Sequence, residues 1–340
     1  MKRTYKVLIF VLFLAFQSFS QEWANVDGKV KTYPQFSSIT DLGYRIMNDF
    51  QKDEDRVRAA FIWLTEHIAF ADQPMDSHQF ERISFRSSRE KEQKISAFVF
   101  SRVDKAFHLR QGVCIDYSLM LNALLEQFKL PAKVISGIAR SKVTDIEEIP
   151  RLMNHSWNAV RVNGKWKLMD ATWAAGYVSE ESKKFIRSFM GHYFFTPPSE
   201  FVLNHLPTNQ EWQLLDTPIT MANFVKAPVH LPEYFNSGIS LSSKTKGTLV
   251  PKDLGDNFIY FDALPKQHLM HYTINDSPEL KRMGFRKLGE EAYVSKIRIR
   301  GRLKAVLNYL TIYHSEQPVL RFRIEKHPNF ITDTNLSLRK

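Results

Sequence analysis

The sequence predicts an α+β protein, and three features of its pattern lead to this prediction. Apolar residues recur at helical spacing in several segments between residues 39 and 128. A β-rich segment that includes a hairpin follows over residues 132–173. Beyond about residue 230, short strand-like segments separated by turn residues predict a small all-β sandwich. A chain of 340 residues is also long for one hydrophobic core, so we expect two domains.

The first twenty residues have the pattern of a secretory signal peptide. Basic "MKRTYK" precedes the apolar run "VLIFVLFLAF", and "SFSQ" supplies small residues suited to cleavage after Ser20. This apolar run is too short to span a membrane, which takes about 20 residues. We therefore expect an exported protein, periplasmic or secreted, with no transmembrane segment in its mature form.

Helices are predicted from the spacing of apolar residues. Ile39, Leu42, Ile46 and Phe50 form one stripe, and Val57, Phe61, Leu64 and Ile68 form a second. A third helix is predicted over Ala97–Phe107, after a polar segment at residues 71–95 that has the composition of a long loop. A fourth begins near Cys114 and stops before Pro131.

Strands follow this helical part. "AKVISGIA" is β-rich, and "HSWNAVRVNGKWKLMDATW" has the pattern of a hairpin with Asn-Gly at its turn. Residues 191–218 are rich in proline and aromatic residues and are predicted to close the first domain. The predicted organisation is a signal peptide over residues 1–20, a first domain over 21–218 and a C-terminal β-sandwich over 219–340.

The composition gives weaker information about partners. The formal net charge is +11, and the chain stays basic when Lys2, Arg3 and Lys6 leave with the signal peptide. Such a surface favours anionic polymers, for example cell-envelope glycans, although ordinary solvated charge is the simpler explanation. Basic residues alternate along one predicted strand and allow the same two interpretations. No phosphate-binding glycine loop or nucleic-acid motif is present, so we expect no nucleic-acid partner. The alternating set is Lys296, Arg298, Arg300, Arg302 and Lys304.

Cys114 is the only cysteine of the chain, so no intramolecular disulfide can form. It follows Gly112 closely and stands at the start of a predicted helix, where free N–H groups and the helix dipole favour a thiolate. The alternative is a small buried hydrophobic residue. A catalytic role requires a base elsewhere in the chain.

The hairpin supplies a candidate base. If Asn163 and Gly164 form its two-residue turn, Trp157 faces Asp170 and His155 faces Thr172. His155 and Asp170 then share a face as diagonal neighbours about 7–8 Å apart, which is within side-chain reach. A carboxylate in this position would fix the imidazole tautomer and leave the other ring nitrogen free to take a proton from a thiol. A surface histidine and a capping aspartate are the simpler alternatives.

No metal site or cofactor is predicted. His108, His192 and His205 lack the mutual spacing of metal ligands, and a second cysteine is missing. The aromatic residues around the hairpin are expected to form core and cleft wall.

Three segments in this order resemble the transglutaminase-like superfamily, in particular the branch of kyphoscoliosis-type peptidases. They are "GVCIDYSLMLNALLEQFKLPAKVISG", "NHSWNAVRVNGKWKLMDATW" and "YFFTPPSEFVLNHLPTNQEWQLL", and the resemblance covers roughly residues 57–215. It implies a papain-like α+β core and a catalytic triad of Cys114, His155 and Asp170. Asp116 departs from the small residue that many members carry, and a carboxylate there opposes thiolate formation.

The resemblance leads to two hypotheses about function. The first is an exported cysteine enzyme that acts on protein or peptide amide bonds through a thioester, as a peptidase, a deamidase or an acyl transferase. The second is a catalytically silent module that binds cell-envelope or protein partners. For an enzyme, the backbone N–H of Cys114 is expected to contribute to an oxyanion hole. Gln111 is a candidate second donor. The alternative is that Gln111 is an exposed loop residue without a catalytic role.

Overall fold

A computed structural model of the chain describes residues 23–71, 85–179, 181–251, 256–265, 269–289, 292–299, 303 and 307–325. The signal peptide predicted over residues 1–20 lies outside these ranges. Contacts divide the chain into two units, one of residues 1–136 and 155–197 and the other of residues 137–154 and 198–340. Among the helices in the described ranges, none is long and apolar enough to cross a membrane.

The first unit is built around a buried helix. Its described helices are α1 (Ala24–Lys31), α2 (Ile39–Asp49), α3 (Asp53–His67), α4 (Ser88–Leu109), α5 (Cys114–Gln127) and α6 (Ala171–Ala175). Helix α3 is buried on every side from Val57 to Thr65, and it packs against α1, α2, α5 and α6. The predicted apolar stripes are confirmed, since Leu42, Ile46 and Phe50 are buried and so are all four residues of the second stripe.

Helix α4 begins earlier than its apolar pattern indicates. The prediction of a loop up to residue 95 is wrong from Ser88 onward, while residues 72–84 lie outside the described residues. Ser87 is the N-cap and accepts a hydrogen bond from the backbone N–H of Glu90, and Glu90 also pairs with Lys94 at 2.9 Å. The first turns are exposed, so capping and charge pairs stabilise them, and no buried stripe marks them in the sequence.

The strands of the first unit are β1 (Ala69–Phe70), β2 (Gln111–Gly112), most of β3 (Ala132–Ala139), β4 (His155–Val162), β5 (Lys165–Met169), β6 (Gly176–Val178) and β7 (Phe185–Arg187). The predicted hairpin is confirmed: β4 and β5 pair from Asn158↔Met169 to Val162↔Lys165. Asn163 and Gly164 both have positive φ, at 50° and 77°, as a two-residue turn of this type requires. Helix α5 packs against β4 and lays its N-terminus near the beginning of that strand.

The second unit contains the predicted β-sandwich. The strands are β8 (His205–Pro207), β9 (Val229–His230), β10 (Ser240–Leu241), β11 (Thr248–Leu249), β12 (Asp256–Ala263), β13 (Met270–Ile274), β14 (Lys281–Arg282), β15 (Phe285–Leu288), β16 (Ala292–Arg298), β17 (Asn308–His314) and β18 (Gln317–Ile324). One sheet has the order β10-β12-β16-β15, and the other has β11-β18-β17-β13-β14 with β9 also on β18. Phe261 and Ile297 of the first sheet and Ile312 and Phe322 of the second belong to one buried apolar cluster.

Residues 198–218 group with this second unit, whereas the sequence predicted them to close the first domain. They include a short helix, α7 (Pro198–Phe201), and β8. Strand β8 pairs antiparallel with Gly137–Ala139 at the end of β3, and the Arg140 N–H donates to the Asn204 carbonyl at 3.0 Å. A further helix, α8 (Met221–Lys226), follows in the same unit.

The basic strand is partly neutralised. Lys296 and Arg298 lie on β16 and pair with Asp256 of the neighbouring β12, at 2.5 and 3.3 Å. Arg300, Arg302 and Lys304 lie outside the described residues. For the two basic residues that can be described, ordinary surface charge is therefore the better interpretation.

Candidate active site

Cys114 is the first residue of α5, and a short parallel strand pair leads the chain to it. Phe70 of β1 pairs with Gly112 of β2, and the Ala71 N–H donates to the Gly112 carbonyl at 3.0 Å. Val113 then takes an extended conformation as N-cap. The thiol is half-buried and lies among the first N–H groups of the helix, which have no partner within the helix itself.

Asp116, in the first turn of α5, is oriented by two hydrogen bonds. One carboxylate oxygen accepts from the Val113 N–H at 2.8 Å, and the other accepts from Nε of Arg102 on α4 at 2.5 Å. The Asp116 side chain is only 3% exposed. Gly112 lies directly against it, because a Cβ at Gly112 would be 2.6 Å from the Asp116 Cβ. The tight approach that the sequence predicted for Gly112 is thus required by Asp116.

Replacing Gly112 by alanine is expected to slow the reaction of Cys114 by about 10²-fold, because the start of α5 must move to relieve the contact, and a displacement of about 1 Å can cost that much. Alkylation and acylation rates of the folded variant measure this. The control is Gly28→Ala on α1, where a Cβ would meet nothing within 4 Å. Equal rates for wild type and Gly112→Ala would contradict the argument.

His155 and Asp170 meet at the open end of the hairpin. His155 is the first residue of β4, and its Nε2 lies 2.6 Å from the Asp170 Oδ2. The predicted pairing of His155 with Thr172 is wrong, because the ladder ends at Asn158↔Met169 and Thr172 belongs to α6. Asp170 leaves the strand and caps that helix. The two side chains nevertheless come together, since the hairpin register brings the chain ends to the same place.

Asp170 is held from several directions. Its Oδ1 accepts from the backbone N–H groups of Thr172 and Trp173 at 2.9 and 3.0 Å, while its own N–H donates to the Tyr193 carbonyl at 2.9 Å. The residue is 0% exposed. One oxygen therefore caps α6, and the other is left to bind His155 in a fixed direction.

The electrostatics of His155 couple it to both neighbours. Burial by itself lowers the pKa of His155, but the charge of Asp170 and hydrogen bonds to Asp170 and Cys114 raise it to about 10. Since Nε2 faces Asp170, Nδ1 is the ring nitrogen available to the thiol. The imidazole also lies near the rings of Trp157 and Trp173, with centroids 6.0 and 5.4 Å away. The cationic form of the imidazole is thus favoured next to Cys114.

Gln111 is placed differently from these three residues. It lies in β2, pairs with Ala69 through the backbone, and is exposed. Its role as an oxyanion donor stays a prediction. Arg102 was not identified from the sequence, because the contact between α4 and Asp116 depends on how two helices pack and leaves no local pattern.

Several known proteins are similar to this chain in sequence. Residues 40–171 match the sequence model of the transglutaminase-like superfamily, and this range contains Cys114, His155 and Asp170. Kyphoscoliosis peptidase from Mus musculus is 24% identical over 254 residues, which cover 74% of this chain and 35% of the relative. The same-named protein from Homo sapiens is 23% identical over 270 residues, or 79% of this chain and 38% of the relative.

Hillarin from Drosophila melanogaster is 29% identical over 150 residues, which cover 41% of this chain and 18% of that protein. The chain spans little more than a third of the length of the two kyphoscoliosis peptidases it matches. The family match contains the first of the three segments that carry the resemblance and nearly all of the second, whereas the third, residues 193–215, lies beyond it. Residues 40–171 of this chain match the transglutaminase-like superfamily, and the chain is similar to the kyphoscoliosis-peptidase branch.

Proposed function

We propose that this protein is an exported cysteine enzyme that acts on amide bonds of proteins or peptides through a thioester on Cys114. One observation carries the proposal. His155 binds the buried carboxylate of Asp170 through one ring nitrogen and is also hydrogen-bonded to Cys114. A thiol at a helix N-terminus beside an oriented imidazole is the arrangement that nucleophilic catalysis needs.

The proposed reaction has two steps. The Cys114 sulfur attacks the amide carbonyl, the C–S bond forms, and the C–N bond breaks as His155 gives its proton to the leaving nitrogen. A water molecule or an amine then attacks the thioester while His155 takes its proton, and the C–S bond breaks to restore the thiolate. The backbone N–H of Cys114 is suited to stabilise the oxyanion, and Gln111 is the candidate second donor.

Hydrolysis is the outcome that we favour. Two of the relatives are named peptidases, and that name applies to proteins nearly three times as long as the matched region. Hydrolysis of a side-chain amide would make the protein a deamidase, and transfer to an amine would make it a cross-linker. Export rests on the signal-peptide pattern of residues 1–20.

Alkylation of the folded protein tests the proposal. Iodoacetamide at pH 6 is expected to modify Cys114 faster than it modifies a model thiol, because the imidazolium and the helix N-terminus stabilise the thiolate. Intact-mass measurement over time gives the rate, and Cys114 is the only thiol present. If modification needed unfolding, Cys114 would be a core residue, and a silent binding module would be the better explanation.

A further inference from the structure

A partly buried ion pair involves the first turn of α5, the helix that begins at the proposed nucleophile. Nε of Arg102 on α4 is 2.5 Å from Oδ1 of Asp116 on α5, and the two side chains are 19% and 3% exposed. Asp116 stands two residues after Cys114, in the same helical turn. The first turn of α5 therefore contains both a carboxylate and the sulfur that must carry negative charge.

This carboxylate has two opposite effects on the site. It stabilises the helix, because it accepts a hydrogen bond from the Val113 N–H at the N-terminus and its negative charge interacts favourably with the positive end of the helix dipole. It also opposes the thiolate, because like charges in a partly buried site destabilise each other. Arg102 supplies the compensating positive charge from a different helix. His155 and Asp170, the other ionisable pair next to the thiol, lie on β4 and at the N-cap of α6.

We propose that Arg102 is a positioning residue for Cys114, acting through Asp116. It neutralises the carboxylate, so that the thiolate can form, and it holds that carboxylate against Val113, so that α5 starts in the required place. This inference rests on the proposed function of Cys114 as nucleophile. It also explains how the chain tolerates an aspartate at this position, which the sequence alone indicated to be unfavourable.

Two features argue that the pair does more than stabilise the fold. The bond to the Val113 N–H would already cap the helix without an arginine, and an asparagine could make that same bond. Gly112 is packed against the Cβ, Cγ and Oδ2 of Asp116, whereas Arg102 binds Oδ1. The carboxylate therefore has little room to move on the Gly112 side if Arg102 is removed.

The test is a double-mutant cycle on the full chain. Rates of iodoacetamide modification of Cys114 at pH 6 are measured for wild type, Arg102→Gln, Asp116→Asn and the double variant, with circular dichroism to show that each is folded. Arg102→Gln is expected to slow modification about tenfold or more. The reason is that an uncompensated carboxylate charge, in a site with an effective dielectric constant of about 20, destabilises the thiolate by a corresponding energy. Adding Asp116→Asn is expected to restore the rate, and Arg102→Lys is expected to keep most of it.

Arg89→Gln is the matched control, because it removes the same charge from an exposed position on the same helix. The inference would be overturned if the rate fell equally in Arg89→Gln. It would also be overturned if Asp116→Asn failed to restore the rate in the double variant. A wild-type thiol no faster than a free thiol would instead contradict the proposed function, while the ratios between variants would still report on the ion pair. If Arg102→Gln were unfolded, the comparison of the double variant with Arg102→Lys would decide between charge and packing.

Discussion

Replacing His155 by alanine is expected to abolish acylation of Cys114 at neutral pH. The imidazole pairs with both Cys114 and Asp170, and its cationic form favours the thiolate. Without the imidazole, only the helix N-terminus stabilises the thiolate, and the leaving nitrogen has no proton donor. Acylation is measured by intact mass with an activated peptide ester.

A loss of acylation in His155→Ala is informative only if a second variant at this position keeps the fold. Removing one partner of a buried ion pair costs about 3–5 kcal/mol, so His155→Gln is made beside His155→Ala, since a glutamine amide can still donate to Asp170. The matched control is His108→Ala, at an exposed position on α4. Acylation at the wild-type rate in a folded His155→Gln protein would show that another group is the base.

Asp170→Asn is expected to lower kcat by about 10⁴, as the equivalent change does in a serine triad. The structure gives a reason. The amide oxygen of the asparagine would be held by the backbone N–H groups of Thr172 and Trp173, as Oδ1 is now. The amide nitrogen would then face Nε2 of His155 and donate to it. The proton would be forced onto the other ring nitrogen, which could no longer accept from Cys114.

Asp145→Asn is the control for this change. Asp145 also caps a short helical turn, since its carboxylate accepts from the N–H groups of Ser141 and Lys142 at 3.0 and 2.9 Å. It belongs to the second unit, whereas Cys114, His155 and Asp170 belong to the first, so the control variant should keep full activity and a similar stability. If Asp170→Asn kept full activity while His155→Gln was inactive, some other group would have to orient the imidazole.

The local pattern of the hairpin was enough to predict that His155 and Asp170 lie together. A two-residue Asn-Gly turn fixes every cross-strand pair, so the register from Val162↔Lys165 to Asn158↔Met169 follows from the turn alone. The predicted pairing was wrong at the open end, where Asp170 accepts hydrogen bonds from the N–H groups of the next helix and the ladder stops. Capping competes with strand pairing at such positions, and alternation of side chains does not reveal which prevails.

Other parts of the structure depend on contacts between distant segments. The pairing of Arg102 with Asp116 joins two helices whose packing leaves no periodic signal. The first turns of α4 are exposed and are stabilised by Ser87 and Glu90, so their residues look like a loop. Residues 137–154 join residues 198–340 because β8 pairs with the end of β3, a long-range contact that neither segment indicates by itself.

The most direct test of the proposed function is to trap the acyl-enzyme. The folded wild-type protein is mixed with an activated peptide ester at neutral pH, quenched in acid, and measured by intact mass and peptide mapping. A mass increase equal to the acyl group, located on Cys114 and removed by hydroxylamine, is the predicted result. Cys114→Ala should give no adduct. An adduct on another residue, or no adduct while Cys114 stays accessible to iodoacetamide, would contradict a thioester mechanism.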